Sequence, residues 1–205
     1  MNNYPFDTVS LSSDVINNYF DIYNALKVKF NIQFTGDIDF QLGQFEVFKG
    51  YADINIKGSY AFKCNNNNCY ILFTEAHSRV HTRYGITDVY QYQTWALAFL
   101  KCDFGRVLIR RETLADKIIE LVHSIELDFE EDKPFSDTFY VLVNDREKAA
   151  RAINRNFRNA VMDTRHDNFT TEIFEHTLII GQHETLSPER AVYLAEFMER
   201  LASTC

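Results

Sequence analysis

The sequence predicts an α+β protein with an N-terminal helix, an antiparallel β-meander, a strand-helix-strand-strand unit and a C-terminal helix. Hydrophobic periodicity is the first reason, because it changes from two to about 3.6 and back between residues 136 and 181. The second is residues 31–111, where short runs rich in Phe, Tyr, Ile and Val are separated by Gly and Asn. The third is a helical apolar pattern near each end of the chain. We expect a single α+β domain, which could divide into lobes at residues 1–112 and 113–205.

Composition limits the classes of function. The chain has 205 residues and a formal net charge of −8, so a general attraction to nucleic acid or to an anionic membrane surface is not expected. The first fifteen residues contain neither a basic stretch nor a continuous apolar run, which argues against a secretory signal. Since no window approaches about 18 uninterrupted apolar residues, we predict no membrane insertion and a soluble, cytoplasmic protein. Its four cysteines are then expected to be reduced thiols.

The first predicted element is a helix over about residues 14–28. Ser12 or Ser13 can cap it, and apolar side chains recur at three- and four-residue steps from Val15 to Leu26. The wide apolar stripe predicts that this helix docks on the main body of the protein.

Residues 31–111 follow as the predicted antiparallel meander. Polar and apolar residues alternate from Asp53 to Lys57, which is typical of a strand with one buried face. Residues 86–100 could form one strand or a strand pair, because periodicity alone does not separate the two. A short strand is predicted over residues 106–110.

The second half begins with a predicted short helix over residues 114–122 and an acidic strand over residues 125–129. A strand over residues 139–143 leads into Asn144-Asp145, which can cap the next helix. That helix carries its apolar positions at helical spacing, and they are Ala149, Ile153, Phe157 and Ala160.

The chain closes with a strand hairpin and a helix. Glu175-His176 is the predicted hairpin turn. Ser187 can cap the closing helix, and Pro188 suits its first position, so we expect a helix over residues 188–202.

The order of features from residue 125 onward resembles a known family. An acidic strand is followed by Phe139-x-Val141, by Asp145 and Ala149 opening a helix, and by a hairpin that ends in Thr177-Leu178-Ile179-Ile180. This order resembles an uncharacterised bacterial family known only as a domain of unknown function. Earlier segments are similar too, namely Ile56-Lys57-Gly58-Ser59-Tyr60, Phe73-Thr74-Glu75-Ala76 and Phe104-Gly105-Arg106. The resemblance implies a bacterial protein with an α+β fold and carries no catalytic residues with it.

This sequence departs from that family in two ways. Its members often carry two membrane helices ahead of the soluble part, which this sequence lacks. The leucine-threonine-proline segment common in their helix is replaced here by Ile153-Asn154-Arg155-Asn156. We therefore expect a divergent, soluble relative.

Cys64, Cys69, His77 and His81 form a series that superficially resembles a set of zinc ligands. The spacing is poor, because a zinc finger leaves about twelve residues between its second Cys and first His. Residues 70–73 also read as a strand, which would carry His77 away from Cys69. We favour a hairpin with a cysteine at each strand end, where the pair could form a disulfide on oxidation, and we predict no metal or other cofactor.

Arg151, Arg155 and Arg158 fall at i, i+4 and i+7 of the predicted central helix. They would form a basic stripe opposite its apolar face, which could receive an acidic partner or a phosphate group. The alternative is a solvated helix face, since exposed arginines need no partner.

Tyr90, Tyr92 and Trp95 form an aromatic cluster with Gln91 and Gln93 between them. On a strand, Tyr90 and Tyr92 would share one face. Such a cluster can bind a ligand or a partner protein, although sheet-face packing is the favoured role in a chain this rich in aromatic rings.

No serine-hydrolase elbow, phosphate loop, dinucleotide fingerprint or His-Glu-x-x-His motif occurs in the sequence. The leading hypothesis is a non-enzymatic module that binds another protein or a small ligand. The alternative is a metal-dependent or cryptic hydrolase whose residues converge only in the folded chain. An exposed sheet edge or the aromatic cluster could also support a homodimer.

Overall fold

A computed structural model describes residues 4–36, 38–64, 67–83, 85–111 and 125–204. The predicted helix over residues 114–122 lies outside them. The elements in chain order are α1 (Ser13–Lys29), β1 (Gln33–Phe34), two 3₁₀ turns (Leu42–Gln44 and Glu46–Phe48), β2 (Asp53–Cys64), β3 (Asn67–Thr82), β4 (Gly85–Phe99), β5 (Arg106–Arg111), β6 (Ile125–Glu126), a 3₁₀ turn (Glu130–Asp132), α2 (Lys133–Ser136), β7 (Phe139–Val143), α3 (Arg146–Ala152), α4 (Arg155–Met162), β8 (Thr170–Phe174), β9 (Thr177–Gly181) and α5 (Pro188–Ala202).

The strands of the described residues form a nine-stranded sheet in the order β1-β2-β3-β4-β9-β8-β5-β7-β6. Every neighbouring pair in it is antiparallel. The predicted α+β class is confirmed, as is the meander of β2, β3 and β4. Residues 85–99 form one long strand, which decides between the two alternatives for that segment.

One face of the sheet packs against helices. Tyr19, Ile22 and Leu26 of α1 are fully buried there, and α5 packs on α1 and on the neighbouring strands. The predicted caps form, because the hydroxyl of Ser12 accepts the N–H of Val15 and that of Ser187 accepts the N–H of Arg190. We refer to this side as the helix face.

The opposite face is covered by the segment that carries the first two 3₁₀ turns, and we refer to it as the loop face. Its apolar cluster includes Phe45, Phe48 and Trp95. Glu172, fully buried on β8, accepts the main-chain N–H groups of Glu46 at 2.9 Å and of Val47 at 3.0 Å. These bonds hold the covering segment on the sheet, because a buried carboxylate must be satisfied by donors.

The predicted central helix is two helices. α3 ends at Ala152, and Asn154 begins α4 by accepting the N–H of Phe157 with its side chain at 3.0 Å. An asparagine side chain can satisfy a main-chain donor outside a helix, so it favours a new N-terminus over continuation. The single helix inferred from the apolar spacing is therefore wrong.

Candidate functional site

The ends of β3 and β4, together with the residue that directly follows β3, form a two-stranded arm, which we define as residues 78–83 and 85–91. The pairing of β2 with β3 ends where Asp53 lies opposite His77. The pairing of β9 with β4 ends where Gly181 lies opposite Trp95. Within the part of the chain that the structure describes, the two strands of the arm pair only with each other. The arm therefore presents open strand edges.

The register identifies the main-chain groups on the open edge of β4. Opposing residues of an antiparallel pair either exchange both hydrogen bonds or neither. The carbonyl of His77 accepts the N–H of Ala52 at 2.7 Å, so His77 turns its main-chain groups toward β2 and away from the opposing Tyr90. Tyr90 consequently directs its N–H and C=O away from β3. With a period of two, Asp88 and Ile86 do the same.

Large apolar side chains lie on both faces of the arm. Ile86 is 63% exposed and Tyr90 is 50% exposed on the helix face. Val80 and Val89 are exposed on the loop face. Apolar side chains of this size grouped in solvent mark a surface that another molecule can cover.

The charge of the arm differs from that of the chain. The arm contains two arginines, Arg79 and Arg83, and one aspartate, Asp88, whereas the whole chain has a net charge of −8. Arg79 Nε lies 3.7 Å from Asp88 Oδ1, and both side chains are exposed. The arm is thus a mildly basic projection from an acidic protein.

A hydrogen-bond chain fixes the base of the arm on the loop face. Trp95 Nε1 donates to Gln93 Oε1, and Gln93 Nε2 donates to the hydroxyl of Tyr51, each at 2.8 Å. That hydroxyl donates to Gln91 Oε1 at 2.8 Å and lies 2.9 Å from His183 Nδ1. Burial raises the pKa of Tyr51, so its hydroxyl stays protonated and able to donate.

The helix face of the base is also fixed. His77 Nε2 lies 2.7 Å from Asp88 Oδ1, and the His77 ring stacks on Tyr90 with centroids 4.8 Å apart. Burial, and then the charge of Glu75 opposite it, raise the pKa of Tyr92. The carbonyl of Tyr92 accepts the hydroxyl of Thr185 at 3.0 Å. The arm therefore projects from a base that is packed on both faces.

The structure separates the predicted aromatic cluster. Tyr90 and Tyr92 share the helix face, as expected for a strand, with Tyr90 exposed and Tyr92 half-buried. Trp95 is fully buried on the loop face, against Phe48 and beneath Gly181. A Cβ at Gly181 would lie 2.5 Å from Trp95 Cε3, so Trp95 is a core residue rather than part of an open aromatic surface.

The predicted basic stripe is not continuous. Arg151 and Arg155 are exposed on separate helices. Arg158 is 5% exposed, donates to Asp132 Oδ2 at 2.8 Å and to the Ile153 carbonyl at 3.0 Å, and covers a phenylalanine ring. The sequence pattern predicts Arg158 on the solvent side of a single helix. It lies buried instead, because the break before α4 turns its side chain inward.

Cys64 and Cys69 are joined by a disulfide across the β2–β3 hairpin. This replaces the expectation of reduced thiols for the pair and agrees with the favoured hairpin. His77 and His81 lie on the same uninterrupted strand as Cys69, and eight residues of strand place His77 about 26 Å from it. The structure therefore does not bring the four residues together. Within the described ranges, no group of three or more His, Cys, Asp or Glu side chains is arranged to hold a metal ion.

Sequence reasoning missed the arm as a surface. The run Ile86-Thr87-Asp88-Val89-Tyr90 has the β-branched and aromatic composition of a strand, and this signal was available. The arm is open because β2 and β9 stop pairing before they reach it, and where they stop depends on contacts between distant parts of the chain. Among the described helices, none combines the length and apolar character needed to cross a membrane.

No protein-family model matches this chain, and no curated protein matches it. Among solved structures, its fold is similar to the crystal structure of the mycobacterial trehalose monomycolate transport factor A, TtfA. The two align with a TM-score of 0.58 and 11% sequence identity over 94% of each chain. At that identity the likeness concerns the fold alone. The resemblance to an uncharacterised bacterial family stays a prediction.

Proposed function

We propose that this chain is a non-enzymatic protein-binding module whose arm accepts an extended, acidic segment of another protein along the edge of β4. The observation that carries the proposal is the open row of main-chain groups at Ile86, Asp88 and Tyr90. An extended peptide can add to such an edge as a further strand, with main-chain hydrogen bonds supplying affinity.

The side chains define what the added strand should contain. Ile86 and Tyr90 flank the edge on one face and offer contacts to apolar side chains of the incoming segment. Arg79 and Arg83 favour a segment that carries carboxylates, and the acidic body of the module repels other acidic surfaces elsewhere. The fixed base supports binding, because an arm that is already ordered loses little conformational entropy on docking.

The structural neighbour offers an analogy. TtfA is named as the mycobacterial trehalose monomycolate transport factor A. Fold likeness does not transfer a function, so the arm and its chemistry remain the argument for protein binding here.

A defined peptide tests the proposal. The probe is the alternating peptide Glu-Val-Glu-Val-Glu-Val-Glu with a fluorophore at its N-terminus, titrated in fluorescence anisotropy, and the comparison peptide has Lys in place of Glu. We expect saturable binding of the acidic peptide and at least about tenfold weaker binding of the basic one.

Asp88→Pro and Asp88→Ala form a matched pair of variants. Both remove the contacts of Asp88 with His77 and Arg79, but only Pro removes the outward N–H. We expect Asp88→Ala to bind the acidic peptide at least as well as the native chain, and Asp88→Pro to bind about tenfold more weakly. Equal binding by both variants would contradict strand addition. A stable dimer that Asp88→Pro dissociates would assign the edge to a second copy and overturn the proposal.

A further inference from the structure

A second site, independent of the arm, lies between the N-terminal segment and the loop after β1. The cleft has a volume of about 740 Å³, within the range of pockets that hold small organic molecules. It is lined by Phe6 and Asp7 of the N-terminal segment, by Phe34, Ile38 and Asp39 at and after β1, and by Lys57 of β2. We refer to it as the N-terminal cleft.

A β-bulge builds the floor of this cleft. The register of β2 against β3 shifts between Ile56 and Gly58. A Cβ at Gly58 would lie 2.9 Å from Phe6 Cβ and 2.9 Å from Tyr60 Oη, so glycine allows the N-terminal segment to pack directly over the bulge. The segment is tied down there, because the hydroxyl of Tyr60 donates to the carbonyl of Pro5 at 2.8 Å.

Among the described residues that line the cleft, Lys57 is the one with an ammonium group, and this group is engaged by the protein itself. Lys57 is buried, and its Nζ lies 3.1 Å from the Val9 carbonyl, 3.4 Å from Asp7 Oδ2 and 3.4 Å from Glu75 Oε1. An ammonium has three N–H donors, and these three acceptors match them. Lys57 is therefore not disposed to bind an anionic ligand.

Negative charge exceeds positive charge around the cleft. Lys57 faces the carboxylates of Asp7 and Glu75, and Asp39 adds a further carboxylate at the rim. Among the described residues, no basic side chain forms an ion pair with Asp39, and Glu75 Oε2 is buried without a hydrogen-bond partner. The field in the cleft favours a cation.

The walls favour a ligand with an apolar body. The ring of Phe34 is 64% exposed beside the cleft, and Ile38 is exposed next to it. An aromatic face attracts a cation as well as apolar groups. We propose that the N-terminal cleft binds a small amphipathic organic cation, with its ammonium group near Asp39 and its apolar part against Phe34 and Ile38.

Three probes of similar shape and different charge test this assignment. They are 2-phenylethylamine, which is a cation at pH 7, 2-phenylethanol, which is neutral, and phenylacetate, which is an anion. Each is titrated into the ¹⁵N-labelled chain and followed by amide chemical shifts. We expect saturable shifts at Ile38, Lys57 and Gly58 for the amine, with a dissociation constant of about 1 mM, and weaker binding of the other two.

Asp39→Asn is the test variant, because asparagine keeps the Oδ1 that accepts the N–H of Gln41 and removes only the charge. We expect this variant to bind the amine about fivefold more weakly, as for the loss of an exposed ion pair, and to bind phenylethanol as the native chain does. Asp21→Asn, on the exposed side of α1, is the control and should change neither. Tighter binding of phenylethanol or phenylacetate than of the amine would overturn the assignment. So would shifts that lie outside the cleft or fail to saturate. Either outcome is independent of whether the arm binds the acidic peptide.

Discussion

His77 and Asp88 meet at the base of the arm, with Nε2 2.7 Å from Oδ1. His77 is the last residue of β3 that opposes β2, and Asp88 is the middle of three residues whose main-chain groups face away from β3. The contact therefore joins the sheet to its unpaired extension. It uses side-chain atoms alone and leaves free the main-chain groups that a partner strand would need.

Glu172 provides a prediction about pH. Desolvation by burial raises its pKa from 4.5 to about 6, so the folded chain binds this proton more tightly than the unfolded chain does. The stabilisation from the protonated carboxyl is complete below pH 4.5 and is lost as the pH rises through 6, by about 2 kcal/mol. Glu172→Gln mimics the protonated group at every pH. The unfolding free energy of the native chain minus that of the variant should fall by about 2 kcal/mol between pH 4 and pH 7.

Urea denaturation at several pH values measures this difference. Glu147→Gln, on the exposed surface of α3, is the control. Its difference in unfolding free energy from the native chain should not change with pH. Arg106 Nη1 lies 3.1 Å from Glu172 Oε1. A difference for Glu172→Gln that rises with pH would mean that this arginine and the two main-chain N–H groups outweigh desolvation.

Arg158 and Arg155 give a prediction about stability. Replacing Arg158 by Met removes the donors to Asp132 and to the Ile153 carbonyl at the break between α3 and α4. We expect a loss of about 2–3 kcal/mol in unfolding free energy, below the cost for a fully buried pair because Glu131 and Asp132 reach solvent. Arg155→Met, on the exposed surface of the same helix, should change the unfolding free energy by less than about 0.5 kcal/mol. Equal effects of the two substitutions on the unfolding free energy would contradict the buried role of Arg158 and would favour the predicted solvated helix face.

The contrast between these elements shows what the sequence could reveal. The bounds of α5 were predictable, because Ser187 and Pro188 act on the helix that they begin. The role of Arg158 was not, since its partner Asp132 lies 26 residues away and the Asn154 break turns it inward. The arm depends on where β2 and β9 stop pairing, which is a property of the whole sheet. The N-terminal cleft likewise unites segments that are distant in sequence.

The disulfide between Cys64 and Cys69 closes a short loop with a sequence separation of 5. The loop-entropy relation gives a contribution of about 2 kcal/mol for a loop of this length. Reduction should therefore lower the unfolding free energy by about 2 kcal/mol in chemical denaturation with and without reductant. Cys102→Ser should respond to reductant like the native chain, because Cys102 is an exposed free thiol. Alkylation of Cys64 and Cys69 in the unreduced, folded protein would contradict the pairing.

Hydrogen exchange of the arm amides, with and without the Glu-Val peptide, tests strand addition most directly. The N–H groups of Ile86, Asp88 and Tyr90 face away from β3 and should slow by at least about tenfold when the peptide binds. Those of Thr87 and Val89 face β3 and should change much less, which provides an internal control on the same strand. Alternating protection along β4 is the result that the account predicts. Uniform protection of all five amides, or protection confined to another part of the chain, would contradict it.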